Sequence, residues 1–459
     1  MLKNIGFVVF SFSAFCFLFS AMAFYNSDLI APLVDSPGKT VGSDFNGDGI
    51  HDMAMGAHRN NDGPGANDAG AVYLLYGTPS FSSTYQLNGS GVNVTLLGKA
   101  TGDVLGISLG SAGDINADGF DDVIMGAHAN DDGPGNDAGA AYILYGNPNL
   151  ASDIAMNSGG VDITILGKAD TDNFGRDTRC AGDINGDGFD DVIMGAYNNN
   201  DGPGANNAGA VYILYGSASL SQTYDLNGGG VNVTILGKAA LDSLGLAAGS
   251  VGDVNSDGLD DMIFGARLND DGGSNNEGAA YVLFGSTSLS STYSLNGAGV
   301  NLTILGEAQL DGLGAVVSGT GDINGDGFDD MIIGAYNGGD LTAGAAYVLY
   351  GRLFPDRTFD TESSEQDITI TGRVNGDTLG NAAMVAGDVN DDGFHDLLIG
   401  AYYNDDGGGV DAGATYIIYG GASLALSINA GNADVSILGK AADDRFGISV
   451  GGGRGNPGP

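Results

Sequence analysis

Short apolar stretches alternate with clusters of Gly, Asn and Asp along almost the whole chain. In residues 161–167, apolar and polar positions alternate, which places the apolar side chains on one face of an extended strand. Residues 122–127 and 139–146 are short apolar runs bounded by turn residues, which is typical of buried strands. No stretch after residue 23 has convincing helical periodicity. The pattern therefore predicts an all-β chain of short antiparallel strands.

This pattern is repeated six times, which predicts a repeat architecture. An acidic loop, D-x-N-x-D-G-x-x-D, begins every 66 to 70 residues. A strand of small residues precedes the loop; a strand ending in Gly-Ala, a polar loop and two more strands follow it. Four antiparallel strands in about 70 residues make one blade of a β-propeller, whereas the coils of a β-solenoid usually take about 20–30 residues. We therefore predict a β-propeller of four-stranded antiparallel blades, with six complete blades in this chain.

The two ends of the repeat leave the number of blades open. The propeller is expected over residues 39–452, with an irregular arm at 24–38 and an irregular tail at 453–459. Residues 446–451 repeat the first strand of a unit, but no acidic loop follows them. Either this strand completes the first blade, whose own first strand at 39–43 is weak, or a seventh blade has been truncated.

The N-terminal 23 residues have the features of a secretory signal peptide. Lys3 precedes an apolar run at 5–22, and Ala21-Met22-Ala23 fits the small-x-small cleavage rule. A transmembrane anchor is the alternative interpretation of this run. No later segment is long and apolar enough to cross a bilayer, so we expect a secreted or cell-surface protein without a membrane span in its mature chain.

Charge and cysteine content narrow the possible partners. The chain has 57 acidic and 15 basic residues, a net charge of −42, which argues against nucleic-acid or anionic-membrane partners. Cys180 is the one cysteine after the predicted cleavage site, so no internal disulfide can form. An exported domain without disulfides needs another source of stability, such as size or bound metal.

The spacing of the acidic loop is suited to holding Ca²⁺. Side chains at positions 1, 3, 5 and 9 and the backbone carbonyl at position 7 supply hard oxygen ligands, and Gly at position 6 allows a sharp turn. Six loops predict about six Ca²⁺ ions. The predicted ligands are Asp44, Asn46, Asp48, Ile50 and Asp52; Asp114, Asn116, Asp118, Phe120 and Asp122; Asp183, Asn185, Asp187, Phe189 and Asp191; Asp253, Asn255, Asp257, Leu259 and Asp261; Asp322, Asn324, Asp326, Phe328 and Asp330; and Asp388, Asn390, Asp392, Phe394 and Asp396.

Neither an EF-hand nor a plain turn accounts for the loop as well as a strand-connecting calcium loop does. An EF-hand needs Glu at position 12 and flanking helices, but position 12 is apolar in every copy and falls in a predicted strand. A plain turn would not require Asp at position 9 while position 8 changes between Asp and His. Three carboxylates packed into each loop would repel one another without a cation, so Ca²⁺ is expected to be a folding cofactor.

The repeat resembles the FG-GAP repeat of the integrin α-subunit head over roughly residues 39–452. Phe174-Gly175 matches the first element of that repeat, and Gly126-Ala127 matches its Gly-Ala, although the Pro of the family motif is replaced throughout. The chain is most similar to the free-standing FG-GAP proteins that bacteria export. The resemblance implies an extracellular adhesion or recognition module, with calcium loops on one face and ligands on the opposite face and rim.

Catalytic and structural roles are the alternatives to recognition. His51, His58, His128 and His395 do not repeat in every unit, and Cys180 precedes a calcium loop, so neither suggests a catalytic set. The variant segment at 352–366 contains no plausible acid-base pair and is interpreted as a solvated loop. We therefore expect a non-enzyme that binds an extracellular protein or glycan; a hydrolase or lyase on a propeller scaffold, or a structural surface or matrix component, is the alternative.

Overall fold

The computed structural model describes residues 43–450, except 64–66, 81–83, 86, 88–90, 157–158, 204–205, 272–275, 296–298, 339–342, 355–356 and 363–364. These residues form six consecutive sheets, the blades of a β-propeller. Within each blade the strands that follow one another along the chain pair antiparallel. The predicted fold class is therefore confirmed. The signal peptide at 1–23, the arm at 24–38 and the tail at 453–459 lie outside the described residues and stay predictions.

The second and third strands of each blade form its centre, and their small or β-branched residues are almost all buried. The second strands are β1 Met53–Ala57, β5 Asp122–Ala127, β10 Asp191–Ala196, β15 Asp261–Ala266, β20 Asp330–Ala335 and β25 Asp396–Ala401. The third strands are β2 Ala71–Leu75, β6 Ala140–Leu144, β11 Ala210–Leu214, β16 Ala279–Leu283, β21 Ala345–Leu349 and β26 Ala414–Ile418. Each second strand begins at or next to position 9 of an acidic loop, so the loop fixes its register.

The first and fourth strands flank this pair. The first strands are β4 Ser108–Gly113, β9 Thr178–Gly182, β14 Ala247–Gly252, β19 Leu313–Gly321 and β24 Leu379–Gly387. The fourth strands are β3 Val94–Leu97, β8 Ile163–Leu166, β13 Val233–Leu236, β18 Leu302–Leu305, β23 Ile368–Thr371 and β28 Val435–Leu438. The fourth strands alternate buried and half-exposed positions, as their sequence pattern predicts.

A fifth strand, which the sequence did not predict, joins neighbouring units. It lies between the third and fourth strands of one unit but pairs parallel with the fourth strand of the preceding blade. These strands are β7 Asp153–Ala155, β12 Thr223–Asp225, β17 Thr292–Ser294, β22 Arg357–Asp360 and β27 Ser427–Asn429. The variant segment at 352–366 therefore contributes β22 to the fourth blade, so its interpretation as only a solvated loop was wrong for residues 357–360.

Apolar packing between successive sheets forms the core. Five clusters of buried residues each combine side chains from two neighbouring blades. In one of them, Ile143 and Ile165 of the second blade pack with Val192 and Tyr212 of the third. Full burial of each such aliphatic side chain contributes about 1.5–3 kcal/mol. In the described part of the chain, the helical elements are two three-residue 3-10 turns, and no helix has the length and apolar character to cross a membrane.

Glycine explains the two dipeptides that mark each unit. A Cβ on Gly126, in the Gly-Ala pair of the second blade, would collide with the carbonyl oxygen of Gly175 in the next unit. The same arrangement joins Gly195 to Gly245. These backbones approach closely only because neither residue has a side chain. The dipeptides therefore mark the seam between two blades.

The two terminal blades are simpler than the others. The first sheet begins at β1, because its expected first strand at 39–43 falls almost wholly outside the described residues. Phe446 forms the same parallel bridge to Gly413 that Leu105 forms to Gly70, and Val450 packs on Met384. Residues 446–450 thus lie where the first strand of a following blade would start. The choice between a latched ring and a seventh blade stays open.

Candidate metal sites

Each acidic loop is a tight turn between the first and second strands of a blade. In the second loop, Gly119 at position 6 has a φ of +92°, and Ala117 at position 4 has a φ of +56°. Gly populates this left-handed region without strain, whereas Ala does so at a modest cost. The positive φ at position 6 is found in all six loops, as the turn argument predicts.

Backbone N–H groups hold the side chains at positions 1, 3 and 5 close to the loop. The Asp114 carboxylate accepts hydrogen bonds from the N–H groups of Asp118 (3.0 Å) and Gly119 (2.9 Å). Asn116 Oδ1 also accepts from Asp118 N–H (2.8 Å), and Asp118 Oδ1 accepts from Phe120 N–H (3.1 Å). Other loops repeat most of these bonds with similar distances. The oxygens predicted to be ligands therefore lie along one short turn.

Position 9 is the buried end of each loop. Asp122 is fully buried; its carboxylate accepts hydrogen bonds from Ile115 N–H (3.1 Å) and Gly146 N–H (2.8 Å). Burial, reinforced by the negative charges of Asp118 and Asp114, raises the pKa of Asp122 to about 8. The pKa values of Asp191, Asp261 and Asp330 are raised to about 8, and those of Asp52 and Asp396 to about 6, with burial as the main cause.

The donor set fits a hard cation, although the side chains are arranged around the loop's own N–H groups. Among the described residues, which include all six loops, no three His, Cys, Asp or Glu side chains are grouped closely enough to hold a metal ion. Asn255 Oδ1, at position 3 of the fourth loop, is buried without a hydrogen-bond donor within the described structure. A buried acceptor of this kind is stabilised by a cation. The assignment of the loop residues as metal ligands stays a prediction.

Position 8 has a role that the sequence did not reveal. The Asp190 carboxylate accepts a hydrogen bond from the N–H of Asp114, position 1 of the preceding loop (2.9 Å). Equivalent bonds join Asp121 to Asp44 (2.8 Å), Asp260 to Asp183 (3.0 Å) and Asp329 to Asp253 (3.1 Å). Each acidic loop is therefore fastened to the next blade. The Asp at position 8 of the following unit, 76 or 77 residues later, was the signal that could have predicted this.

A second polar cluster lies near the other end of each blade. Lys99 Nζ is 2.7 Å from Asp132 Oδ2, and Asn130 Nδ2 donates to the buried carboxylate of Asp103 (3.1 Å). The pairs Lys168–Asp201, Lys238–Asp271 and Arg373–Asp406 repeat this contact. A side-chain cation of the protein thus lies against these carboxylates in four units.

The histidines and the cysteine do not come together. His51 and His395 are at position 8 of their loops, whereas His58 and His128 follow the opposite ends of β1 and β5. Cys180 is buried in β9.

Comparison with known proteins identifies the repeat. The FG-GAP repeat family matches residues 40–75, 106–144, 180–214, 314–349 and 380–418. Each matched stretch contains an acidic loop and the two strands that follow it. The predicted resemblance is therefore confirmed.

Known relatives include integrin α subunits. The chain is 26% identical to integrin alpha pat-2 of Caenorhabditis elegans over 262 residues, which covers 52% of this chain and 18% of the relative. It is 30% identical to integrin alpha-5 of Xenopus laevis over 195 residues, 39% of this chain and 16% of the relative. It is also 30% identical to phosphatidylinositol-glycan-specific phospholipase D of Bos taurus over 229 residues, 47% of this chain and 25% of the relative. The matches thus span a quarter or less of these relatives.

Proposed function

Because the chain is an FG-GAP repeat protein similar to integrin α subunits, we propose that it is an extracellular adhesion or recognition module stabilised by Ca²⁺. The observation that carries this proposal is the position of the acidic loops. Each of the first four loops is hydrogen-bonded to the next blade through position 8. A cation in such a loop stabilises both a blade and its contact with the next one.

Charge supports a structural role for the ions. Each loop contributes three carboxylates, and one of them is buried. Six Ca²⁺ ions would neutralise about twelve negative charges of the folded protein. Calcium binding is then coupled to folding, since the unfolded chain does not hold these oxygens together. Extracellular fluid, which is rich in Ca²⁺, suits such a protein.

Binding to matrix proteins tests the recognition function. The purified protein is applied to immobilised extracellular matrix glycoproteins in millimolar Ca²⁺, and in parallel after calcium is removed on a chelating resin. We expect saturable, calcium-dependent binding to at least one glycoprotein. The charge-matched control is Asp153→Asn, at an exposed position of β7, which should bind like the native protein. Saturable binding to none of the glycoproteins in Ca²⁺ would contradict the recognition function.

Export is tested separately. We expect the mature protein in the culture medium to begin at Phe24, after cleavage behind Ala23. N-terminal sequencing of the protein from medium and from cell membranes measures this. Intact Met1 on membrane-bound protein would instead support an N-terminal anchor.

Phospholipase or glycan-cleaving activity is the second candidate. It rests on the matches to phosphatidylinositol-glycan-specific phospholipase D of Bos taurus and Dictyostelium discoideum, at 30% and 28% identity. The chain covers 25% and 26% of these proteins. Turnover of a glycan or phosphodiester substrate, abolished by one point substitution, would establish an enzyme and displace the recognition function.

A further inference from the structure

Six equivalent residues surround the end of the propeller opposite the acidic loops. Each is the first residue after a second strand, and that strand starts at or next to position 9 of a loop. A strand of five or six residues places them about 17–20 Å from the loops. Because first strands of neighbouring blades lie side by side, these residues follow one another around the propeller. We call them the mouth residues: His58, His128, Tyr197, Arg267, Tyr336 and Tyr402.

Contacts between blades connect the mouth residues. Arg267 Nη1 donates a hydrogen bond to the hydroxyl of Tyr336 in the next blade (3.2 Å). The rings of Tyr402 and Tyr403 are 4.1 Å apart, and the guanidinium of Arg445 lies 5.3 Å from the Tyr403 ring. All six mouth residues are partly buried, neither core nor fully solvated. They form a band of aromatic and cationic side chains on a chain whose net charge is −42.

Two buried polar atoms in this band lack partners within the described residues. They are Nε of Arg267 and Nδ1 of His128. A buried N–H without an acceptor is destabilising, and the loss is larger when the N–H belongs to a charged group. Burial and the nearby cations Arg176 and His58 lower the pKa of His128 to about 4, which reports a locally positive environment.

Carboxylates at the same end of the blades are already engaged. Asp103, Asp242 and Asp311 are buried and accept hydrogen bonds from the backbone N–H groups of Ala100 (3.0 Å), Ala239 (2.9 Å) and Ala308 (2.7 Å). The ion pair nearest the start of the third blade, Arg179–Asp177, is also internal (3.2 Å). These groups leave the guanidinium of Arg267 as the donor that needs an external acceptor.

We propose that the mouth residues dock a protein partner that inserts an Asp or Glu carboxylate against Arg267, an inference that rests on the proposed recognition function. A carboxylate is the acceptor that best matches the planar donor pattern of Arg. Tyr and Arg are also enriched at the energetic centres of protein interfaces. The net charge of −42 attracts a basic protein surface and opposes a polyanionic glycan, so the partner is a protein with a basic surface and one central acid.

A pair of peptides tests the inference. Both have the same Lys- and Ser-rich sequence, and the central residue is Asp in one and Asn in the other. Binding is measured by fluorescence anisotropy in millimolar Ca²⁺ at physiological ionic strength. We expect the Asp peptide to bind about tenfold more tightly than its Asn twin. Arg267→Gln should abolish this preference, and Arg267→Lys should retain part of it because it keeps the charge but loses the planar fork.

The control removes an arginine elsewhere. Arg357→Gln lies on the outer strand β22, beside Glu365 at 3.6 Å, and should keep the full Asp preference. All variants are first compared by thermal melting in Ca²⁺. If Arg267→Gln does not fold, the Arg267→Lys and Arg357→Gln pair decides: a weakened preference in the first and an intact one in the second supports the inference.

Three results would overturn it. They are equal affinity of the two peptides for the native protein, an Asp preference that survives Arg267→Gln, and tighter binding of a uronate oligosaccharide that displaces the peptide. The matrix-protein assay separates this inference from the proposed function. Equal matrix binding by native protein and Arg267→Gln, without peptide preference, removes only the mouth site. An Asp preference without matrix binding contradicts only the adhesion function.

Discussion

Removal of calcium should make the stability of the protein depend steeply on pH, through the buried carboxylate of Asp122. This carboxylate has a pKa of about 8 in the folded protein, against 3.8 in the unfolded chain. Because the folded-state pKa is raised, the folded protein binds the proton more tightly. The calcium-free protein is therefore most stable below the unfolded pKa and loses stability as the pH rises towards the folded pKa.

The size of the effect follows from the shift. One pKa unit corresponds to about 1.4 kcal/mol, so between about pH 4 and pH 7 this group costs about 4 kcal/mol of stability. Asp191, Asp261 and Asp330 have equally raised pKa values. Together they exceed the roughly 5–15 kcal/mol that stabilises an ordinary domain. We expect the calcium-free propeller to unfold at neutral pH and to be protected by Ca²⁺, which keeps the carboxylates ionised in the fold.

Thermal melting of resin-stripped protein from acidic to slightly alkaline pH measures this, with Asp122→Asn as the diagnostic variant. With Ca²⁺ the variant should lose about 2–3 kcal/mol, because a charged ligand and acceptor is gone. Without Ca²⁺ at neutral pH it should gain about 2 kcal/mol, because the relief of a buried charge exceeds one lost hydrogen bond. Asp153→Asn, at an exposed position, should change neither value. A melting temperature of the stripped protein that stays constant or rises between about pH 4 and pH 8 would refute the burial argument.

Two further substitutions test the seams between blades. Asp190→Ala removes the acceptor of the Asp114 N–H and should lower stability by about 1–3 kcal/mol in urea unfolding; a loss no larger than that of Asp153→Ala would remove the interblade role of position 8. Gly195→Ala places a methyl group against the carbonyl oxygen of Gly245 and should cost about 1–3 kcal/mol. Gly228→Ala, where a Cβ meets open space, is the control, and equal effects of the two Gly substitutions would contradict the close approach of the blades.

Most of the fold could be predicted from the repeat, because its strands have strong local signals. Strand β5, at 122–127, has its predicted bounds. The fifth strands could not be predicted, since β7 has three residues and one of them, Ile154, is buried. Such a strand is specified by its parallel partner in the preceding blade rather than by its own apolar pattern.

The candidate metal sites were predictable to a similar degree. Positions 1, 3, 5 and 9 were visible because all six copies retain them. The role of Asp190 at position 8 was hidden, because its partner, Asp114, lies 76 residues away in another unit. The mouth residues were visible only as replacements of the family's Pro. Their contact across blades, as between Arg267 and Tyr336, depends on the curvature of the whole propeller.

The number of calcium ions bound per chain tests the central claim most directly. Equilibrium dialysis of resin-stripped protein against radioactive calcium, at a pH where the protein remains folded, gives this number. The account predicts about six ions for the native chain, one for each acidic loop, and one fewer for Asp122→Asn. A native protein that binds no calcium, or a stoichiometry unchanged in Asp122→Asn, would contradict it.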